Sequence, residues 1–246
     1  MRTLKITLEY DGSAYCGWQI QARGTTLQGL LEEKLSILTH EKVRVMAAGR
    51  TDAGVHAHAQ VATFRTASTR EPADFVKRLN ALLPRDMAVL AVEDMPDGFD
   101  SRASSMGKLY RYQIWNAPQR SVFHERFTWH LRAPLDIAAM RAAAAHLVGH
   151  HDFSSFRAAN CEARTSARVV FRLDIDDAES PVVLLHAEAT AFLKNMVRIV
   201  AGTLVEVGQG KRAADSMPAL LAAKDRTKAG RTAPAHGLFL VRVFYS

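Results

Sequence analysis

Apolar and polar residues alternate at the start of the chain: Leu4, Ile6, Leu8 and Tyr10 are separated by Lys5, Thr7 and Glu9. A period of two predicts a half-buried strand. A loop with Gly12, Gly17 and Gly24 follows, and Thr25 and Gln28 then have the spacing of a capping box. Leu27, Leu30, Leu31, Leu35 and Leu38 continue at helical spacing. Val43 and Val45 open a short strand that is cut off by the loop from Gly49 to Gly54. The stretch from His58 to Thr66 reads as a strand, and Met87 to Val92 as another. Between them Pro72 suits the first turn of a helix that ends near Pro84. The order is βαββαβ.

The second half repeats that order with longer insertions. Tyr110, Tyr112 and Ile114 alternate in a strand, and Leu135 to Val148 is an alanine-rich helical stretch. Arg168 to Ile175 and Val182 to Ala189 predict a hairpin around Glu179-Ser180-Pro181. Phe192, Met196, Ile199, Val200 and Val207 mark one face of a long helix, and Leu238, Leu240 and Val243 a closing strand. The expected class is α+β: two ferredoxin-like βαββαβ domains, residues 1–104 and 105–246, with a cleft between them. Such sheets host many unrelated activities, so the fold alone does not name a function.

Composition narrows the classes. At 246 residues, 48% hydrophobic and 23% charged, the chain can bury a core in each half. Lys and Arg number 32 against 25 Asp and Glu, and the pI near 9.6 suits a polyanionic partner without requiring one. The two cysteines, Cys16 and Cys161, form no CxxC pair, which fits a reducing compartment. No stretch approaches the roughly 20 apolar residues of a membrane span. These features predict a soluble cytoplasmic protein.

Candidate chemistry concentrates in Gly49-Arg50-Thr51-Asp52-Ala53-Gly54-Val55-His56-Ala57. Two glycines five apart allow sharp turns between strands, and inside the turn stand a guanidinium and a carboxylate. An arginine on a tight turn suits a phosphate or a base face. A carboxylate beside cations stays ionised, the state needed for a nucleophile or general base. Alone, Thr51-Asp52-Ala53-Gly54 is equally the composition of an ordinary turn. Neither this segment nor Gly208-Gln209-Gly210-Lys211 has the phosphate-loop pattern. His56 and His58 lack a third nearby ligand, and the adjacent His150 and His151 point to opposite strand faces, so no metal site is expected.

The whole nine-residue string resembles the signature of the tRNA pseudouridine synthases that modify the anticodon arm, the TruA family. Further blocks are similar in the same order: Tyr10 to Gln19, Thr26-Leu27-Gln28, Phe99-Asp100-Ser101-Arg102, Lys108 to Tyr112, Asp152 to Arg157, Phe192 to Arg198 and Thr232 to Leu238. Ser101 and Leu109 depart mildly from the usual pattern.

The resemblance implies isomerisation of uridine to pseudouridine at tRNA positions thirty-eight to forty, without redox cofactor, metal or nucleotide. Asp52 matches the catalytic aspartate, with three roles open to it: addition to the base, attack on C1′, or removal of a sugar proton. Tyr110 matches a tyrosine that stacks on the target base; its strand position equally suits a sheet residue. Arg198 matches an arginine that pairs with the aspartate; a surface place on its helix is the alternative. Arg50 matches the residue that enters the RNA helix as the base leaves. Phe99, Asp100, Ser101, Arg102 and Ala103, and Asn160, Cys161, Glu162, Ala163 and Arg164, fall where the family contacts tRNA, with Arg102 and Arg164 as phosphate ligands. The resemblance also implies a homodimer with tRNA bound across both subunits.

The basic run Lys224, Arg226, Lys228 and Arg231 is either a tRNA surface or a solvated face. Two rival readings stand beside the isomerase: a tRNA-binding module without catalysis, and a metal-dependent phosphohydrolase using Asp52. The first has no need of a carboxylate facing a polyanion. The second lacks a neighbouring acidic pair or histidine cluster in the sequence.

Overall fold

The computed structural model describes residues 1–245. Its strands are β1 (Arg2–Tyr10), β2 (Val45–Ala47), β3 (His56–Thr66), β4 (Met87–Met95), β5 (Gly107–Asn116), β6 (Trp129–Leu131), β7 (Gly149–Asp152), β8 (Ala167–Asp176), β9 (Val182–Ala189) and β10 (Leu238–Phe244). Its α-helices are α1 (Leu27–Thr39), α2 (Pro72–Leu82), α3 (Ile137–Ala145), α4 (Met196–Gly208) and α5 (Met217–Ala223). The expected α+β class is borne out. The chain divides into two units, one of residues 1–106 together with the chain from Phe239 onward, the other Gly107–Leu238.

In the first unit β1 lies between β3 and β4, antiparallel to both, and β2 adds antiparallel to β3. Leu4, Ile6 and Leu8 of β1 are fully buried, as their alternation predicts. Leu27, Leu31 and Leu35 of α1 and Phe75 and Leu79 of α2 are buried too, and Phe75 meets Phe64 of β3 edge-on at 5.7 Å. The cap of α1 is Thr26, one residue later than the predicted Thr25, and its hydroxyl accepts the Gly29 N–H. Gln28 decides that register. Its amide is drawn into a buried network, donating to Glu32 Oε1 at 2.9 Å and to the Val45 carbonyl at 3.1 Å. The Val45 N–H donates to the same Glu32 oxygen at 2.9 Å, so α1 fixes the start of β2.

The sequence places the closing strand in a second domain of residues 105–246. Instead, from Phe239 onward it packs with the first unit. Phe239 and Leu240 pair in parallel with His56 and Ala57 of β3, an edge that among the described residues has no other strand below β2. The Phe239 ring stacks on His56 at 4.7 Å and on His58 at 5.1 Å. An aromatic slot on β3 thus draws β10 back.

In the second unit the antiparallel order is β5-β9-β8-β7, with the predicted β8–β9 hairpin, and short β6 runs parallel to β5. Helix α3 is shorter than Leu135–Val148, because the Asp136 carboxylate caps it by accepting the Ala139 N–H at 2.9 Å. Phe192 falls outside α4. Asn195 stands before the helix at φ 62°, a left-handed conformation that asparagine tolerates and a continuing helix forbids. Ten residues of β5 carry Tyr110, Tyr112 and Ile114 inward, as the alternation predicts. No helix among the described residues is long and apolar enough to cross a membrane.

Candidate active site

Asp52 stands on the loop between β2 and β3, half-buried, with Arg50 exposed beside it. The loop is gripped from two sides along its backbone. The Val55 N–H donates to the Asp52 carbonyl at 3.1 Å, which makes the turn that the composition predicts. The segment after β1 then lies against that turn. A Cβ on Gly12 would sit 2.0 Å from the Val55 carbonyl oxygen, and one on Gly17 would sit 2.8 Å from that of Thr51. Only glycine lets the two backbones approach so closely. The Trp18 N–H donates to the Thr51 carbonyl at 3.0 Å, and Trp18 itself is buried.

A buried polar ladder supports the turn from within the unit. The Tyr10 hydroxyl is 2.8 Å from Thr51 Oγ1 and accepts from Gln60 Nε2 at 3.3 Å. The same amide donates to the Gly49 carbonyl at 2.8 Å. Burial pushes the Tyr10 phenol up to about 12, against the pull of its bonds to Thr51 and Gln60. It therefore stays a neutral hydroxyl under ordinary conditions. Gly49, Thr51 and Val55 are thus fixed on three sides of Arg50 and Asp52. A carboxylate on such a support needs little reorganisation to act.

His56 closes the loop at the head of β3. Its ring is almost wholly buried, and Nδ1 accepts the Gly12 N–H at 3.0 Å. Asp11 Oδ1 lies 3.0 Å from that same nitrogen. The Asp11 carboxylate also accepts the N–H and hydroxyl of Ser13, at 3.0 and 2.6 Å.

In the second unit Tyr110 is buried on β5, its ring edge-on to Phe192 at 5.2 Å. Arg198 stands half-buried in the first turn of α4. Its Nε donates to the Ala233 carbonyl at 2.8 Å and Nη1 to Asn195 Oδ1 at 3.0 Å. The Ala233 N–H returns a bond to the Arg198 carbonyl at 3.0 Å. The guanidinium is therefore oriented by two backbone-anchored partners and is not a loose surface cation. Arg231 lies over the Trp129 ring at 4.5 Å, and the Tyr112 hydroxyl donates to the Pro234 carbonyl at 2.8 Å, so the segment around Ala233 is itself fixed.

A family profile described as tRNA pseudouridine synthase matches residues 6–102 and 143–246. The chain belongs to the tRNA pseudouridine synthase family. It is 49% identical over its whole length to the full tRNA pseudouridine synthase A of Geotalea uraniireducens. It is 48% identical to that of Myxococcus xanthus, covering all of this chain and 92% of the relative. With the protein of that name from Ruminiclostridium cellulolyticum the identity is 42%, again across both chains. The profile's two segments hold Asp52 and Arg198; Tyr110 falls between them, inside the full-length matches.

Against that family background the expected RNA-contact residues divide. Arg102 and Ala103 are exposed, and the Asp100 carboxylate holds their turn by accepting both N–H groups, at 2.8 and 2.7 Å. Ser101, by contrast, is fully buried beneath that turn. Its hydroxyl donates to the Met46 carbonyl at 2.6 Å, and the Tyr245 hydroxyl donates to its carbonyl at 2.7 Å. Ser101 thus pins the turn to β2. Phe99 is half-buried against the Tyr245 ring at 5.4 Å.

Asn160, Glu162 and Arg164 are exposed on a loop, with Cys161 and Ala163 half-buried. Arg157 braces that loop from inside, donating to the carbonyls of Cys161 and Ala163 at 2.7 and 2.9 Å. Burial raises the Cys161 thiol, but N–H bonds from Lys194 and Ala163 and the Arg157 charge outweigh it and leave the pKa lowered. Three members of the basic run have separate partners. Lys224 pairs with Asp152 at 3.0 Å, Arg226 donates to Thr232 Oγ1 at 3.1 Å, and Arg231 covers Trp129.

Sequence patterns missed Tyr10, Gln60 and the approach glycines as parts of the site. A glutamine at full burial in the apolar strand β3 was the available signal, since a buried amide must be bonded to something. Among the described residues no group of three His, Cys, Asp or Glu is arranged to hold a metal ion.

Proposed function

We propose that the chain converts uridine to pseudouridine in tRNA, at positions thirty-eight to forty of the anticodon arm, with Asp52 as the acting carboxylate. Membership of the tRNA pseudouridine synthase family supports the reaction. The observation that carries the residue assignment is the loop itself: Asp52 stands on a turn whose backbone is fixed at Gly49, Thr51 and Val55. A merely surface turn has no need of two glycine contacts and a buried phenol beneath it.

The reaction is an isomerisation. The bond from uracil N1 to C1′ breaks, a bond from C5 to C1′ forms, C5 loses a proton and N1 gains one. No atom or electron is left over. A carboxylate held in place can form and release an ester-like bond or take a proton without consuming a co-reactant. By the family resemblance we assign Tyr110 to the base and Arg198 to the carboxylate in that reaction. Arg50, exposed on the same turn, takes the place of the extruded base, where a guanidinium offsets part of an unstacking cost of a few kcal/mol.

Arg102 and Ala103, with Phe99 and Asp100 shaping their turn, form one proposed tRNA contact; Asn160, Cys161, Glu162, Ala163 and Arg164 form another. The assembly is a cytoplasmic homodimer with tRNA across both subunits. Each unit is a ferredoxin-like βαββαβ fold; the antiparallel order β4-β1-β3-β2 supports this for the first.

The test is pseudouridine formation by the purified chain on unmodified tRNA, read by nucleoside chromatography and by position after carbodiimide labelling. Wild type yields product at the anticodon-arm uridines. Asp52→Asn lowers kcat at least about 1,000-fold, in the range expected when an acting group is removed. Full activity of Asp52→Asn refutes its role, and product confined to other positions refutes the site.

A further inference from the structure

The His56 ring nitrogen that faces the loop after β1 has one lone pair and two claimants. The Gly12 N–H donates to Nδ1 at 3.0 Å, which requires that Nδ1 carry no proton. The Asp11 carboxylate oxygen, also 3.0 Å from Nδ1, is satisfied by that nitrogen only when it does carry one. The two bonds exclude each other. In the neutral ring the proton sits on Nε2, Gly12 is held, and Asp11 is served by Ser13. In the imidazolium Nδ1–H pairs with Asp11, and the Gly12 N–H loses its acceptor.

Gly12 is also the residue whose backbone lies against the Val55 carbonyl, at the foot of the Asp52 turn. A change at Nδ1 is therefore transmitted through two contacts to the turn that carries the carboxylate. We propose that His56 is a positioning residue for the isomerisation, a latch that holds the Asp52 turn through the Nδ1 lone pair and lets it go on protonation. This rests on Asp52 being the acting carboxylate.

The surroundings make the latch specific to the ring's proton. The groups packed against His56 include Asp11 from the loop after β1 and the Phe239 ring from β10. On β3 itself His58 stacks on Phe239, two residues along. Asp86 stands behind Asp11, its carbonyl accepting the Asp11 N–H at 2.9 Å and its carboxylate accepting from Tyr15 at 2.6 Å. Asp11 is thus anchored by its backbone and by Ser13, so it is the ring's proton, not a swing of Asp11, that switches the bond.

Two variants separate the lone pair from the ring's bulk. His56→Asn presents an amide oxygen near the place of Nδ1 and cannot take a proton, whereas His56→Phe keeps the stack on Phe239 and has no acceptor. Nuclear magnetic resonance of the isotope-labelled full chain reads the tautomer of His56 and the Gly12 amide across the range in which an imidazole titrates. The expected result is an unprotonated Nδ1 at neutral pH and a Gly12 amide that moves with the His56 midpoint. In His56→Asn that amide stays still.

Kinetics on tRNA give the second readout. The ratio of kcat at the acidic end to kcat at neutral pH rises about tenfold in His56→Asn over wild type, while KM follows wild type in both. His56→Phe lowers kcat about tenfold at neutral pH, the scale of one buried hydrogen bond, and converges on wild type at the acidic end, where wild type has lost the same bond. A protonated Nδ1 at neutral pH, a Gly12 amide indifferent to His56, or an acid limb in His56→Asn that overlays wild type each overturns the latch. If wild type forms no pseudouridine at any pH, the functional reading fails instead, and the Gly12 amide still decides the latch.

Discussion

Replacing Gly12 by alanine puts the support of the Asp52 turn to a direct test. The new Cβ would lie 2.0 Å from the Val55 carbonyl oxygen and 2.7 Å from its carbon, where ordinary contact begins near 3.4 Å. The turn or the Gly12 segment must therefore retreat by about 1.4 Å. Both partners are backbone, so no flexible side chain absorbs the shift. The cost in stability is that of modest overpacking, about 1–3 kcal/mol. In a chain of this size that lowers Tm by roughly 2–4 °C for each kcal/mol. The cost in catalysis is larger, because a misplacement of about 1 Å is worth on the order of 100-fold in rate. Gly12→Ala should therefore remain folded at assay temperature, bind tRNA with a near-normal KM, and lose about 100-fold in kcat. The assay is steady-state pseudouridine formation beside a thermal melt of the same preparation. A folded Gly12→Ala enzyme with wild-type kcat refutes the claim that this contact positions Asp52.

Burial raises the phenols of Tyr10, Tyr15, Tyr112 and Tyr245 above their ordinary value of 10.0. The folded state then holds its phenolic protons more tightly than the unfolded chain, so stability is full below about pH 10 and falls as pH rises through the folded values. Melts between pH 8 and 11 should be flat up to about pH 10 and decline above it, with Tyr10→Phe weakening the decline. Ser101 and Arg102 are expected to part company. Ser101→Ala removes the bond to the Met46 carbonyl and lowers stability by about 1–3 kcal/mol in denaturant titrations. Arg102→Ala leaves the melt unchanged and raises KM for tRNA, an effect that shrinks at high salt.

Period-two alternation located β1, β5 and the β8–β9 hairpin because each has one face in the core, where burial writes the sequence. The Asp52 segment was legible as a turn from its glycines and aspartate, whereas its role rested on the resemblance of the whole nine-residue string to the family signature. What escaped was every feature decided across the chain. Thr25 and Thr26 offer the same hydroxyl, and only the buried bonds of Gln28 to Glu32 and Val45 choose between them. Phe192 has the spacing of α4, but the left-handed Asn195 stops the helix short of it. Ser101 looks like a polar loop residue until Met46 and Tyr245, distant in sequence, close over it. The supporting ladder of Tyr10 and Gln60 is long-range as well, its members 50 positions apart.

The return of β10 to the edge of β3 gives the chain a temporal order. Residues 1–106 leave the ribosome before Phe239 does, and until then their sheet lacks the strand that supplies it. Until Phe239 is made, the edge at the head of β3 lacks both the β10 backbone and the Phe239 ring. The whole second unit must be synthesised before that gap is filled. Completion of the aspartate-bearing sheet is thus tied to synthesis of the second unit, and a chain interrupted before Phe239 carries the reactive loop on an unfinished support.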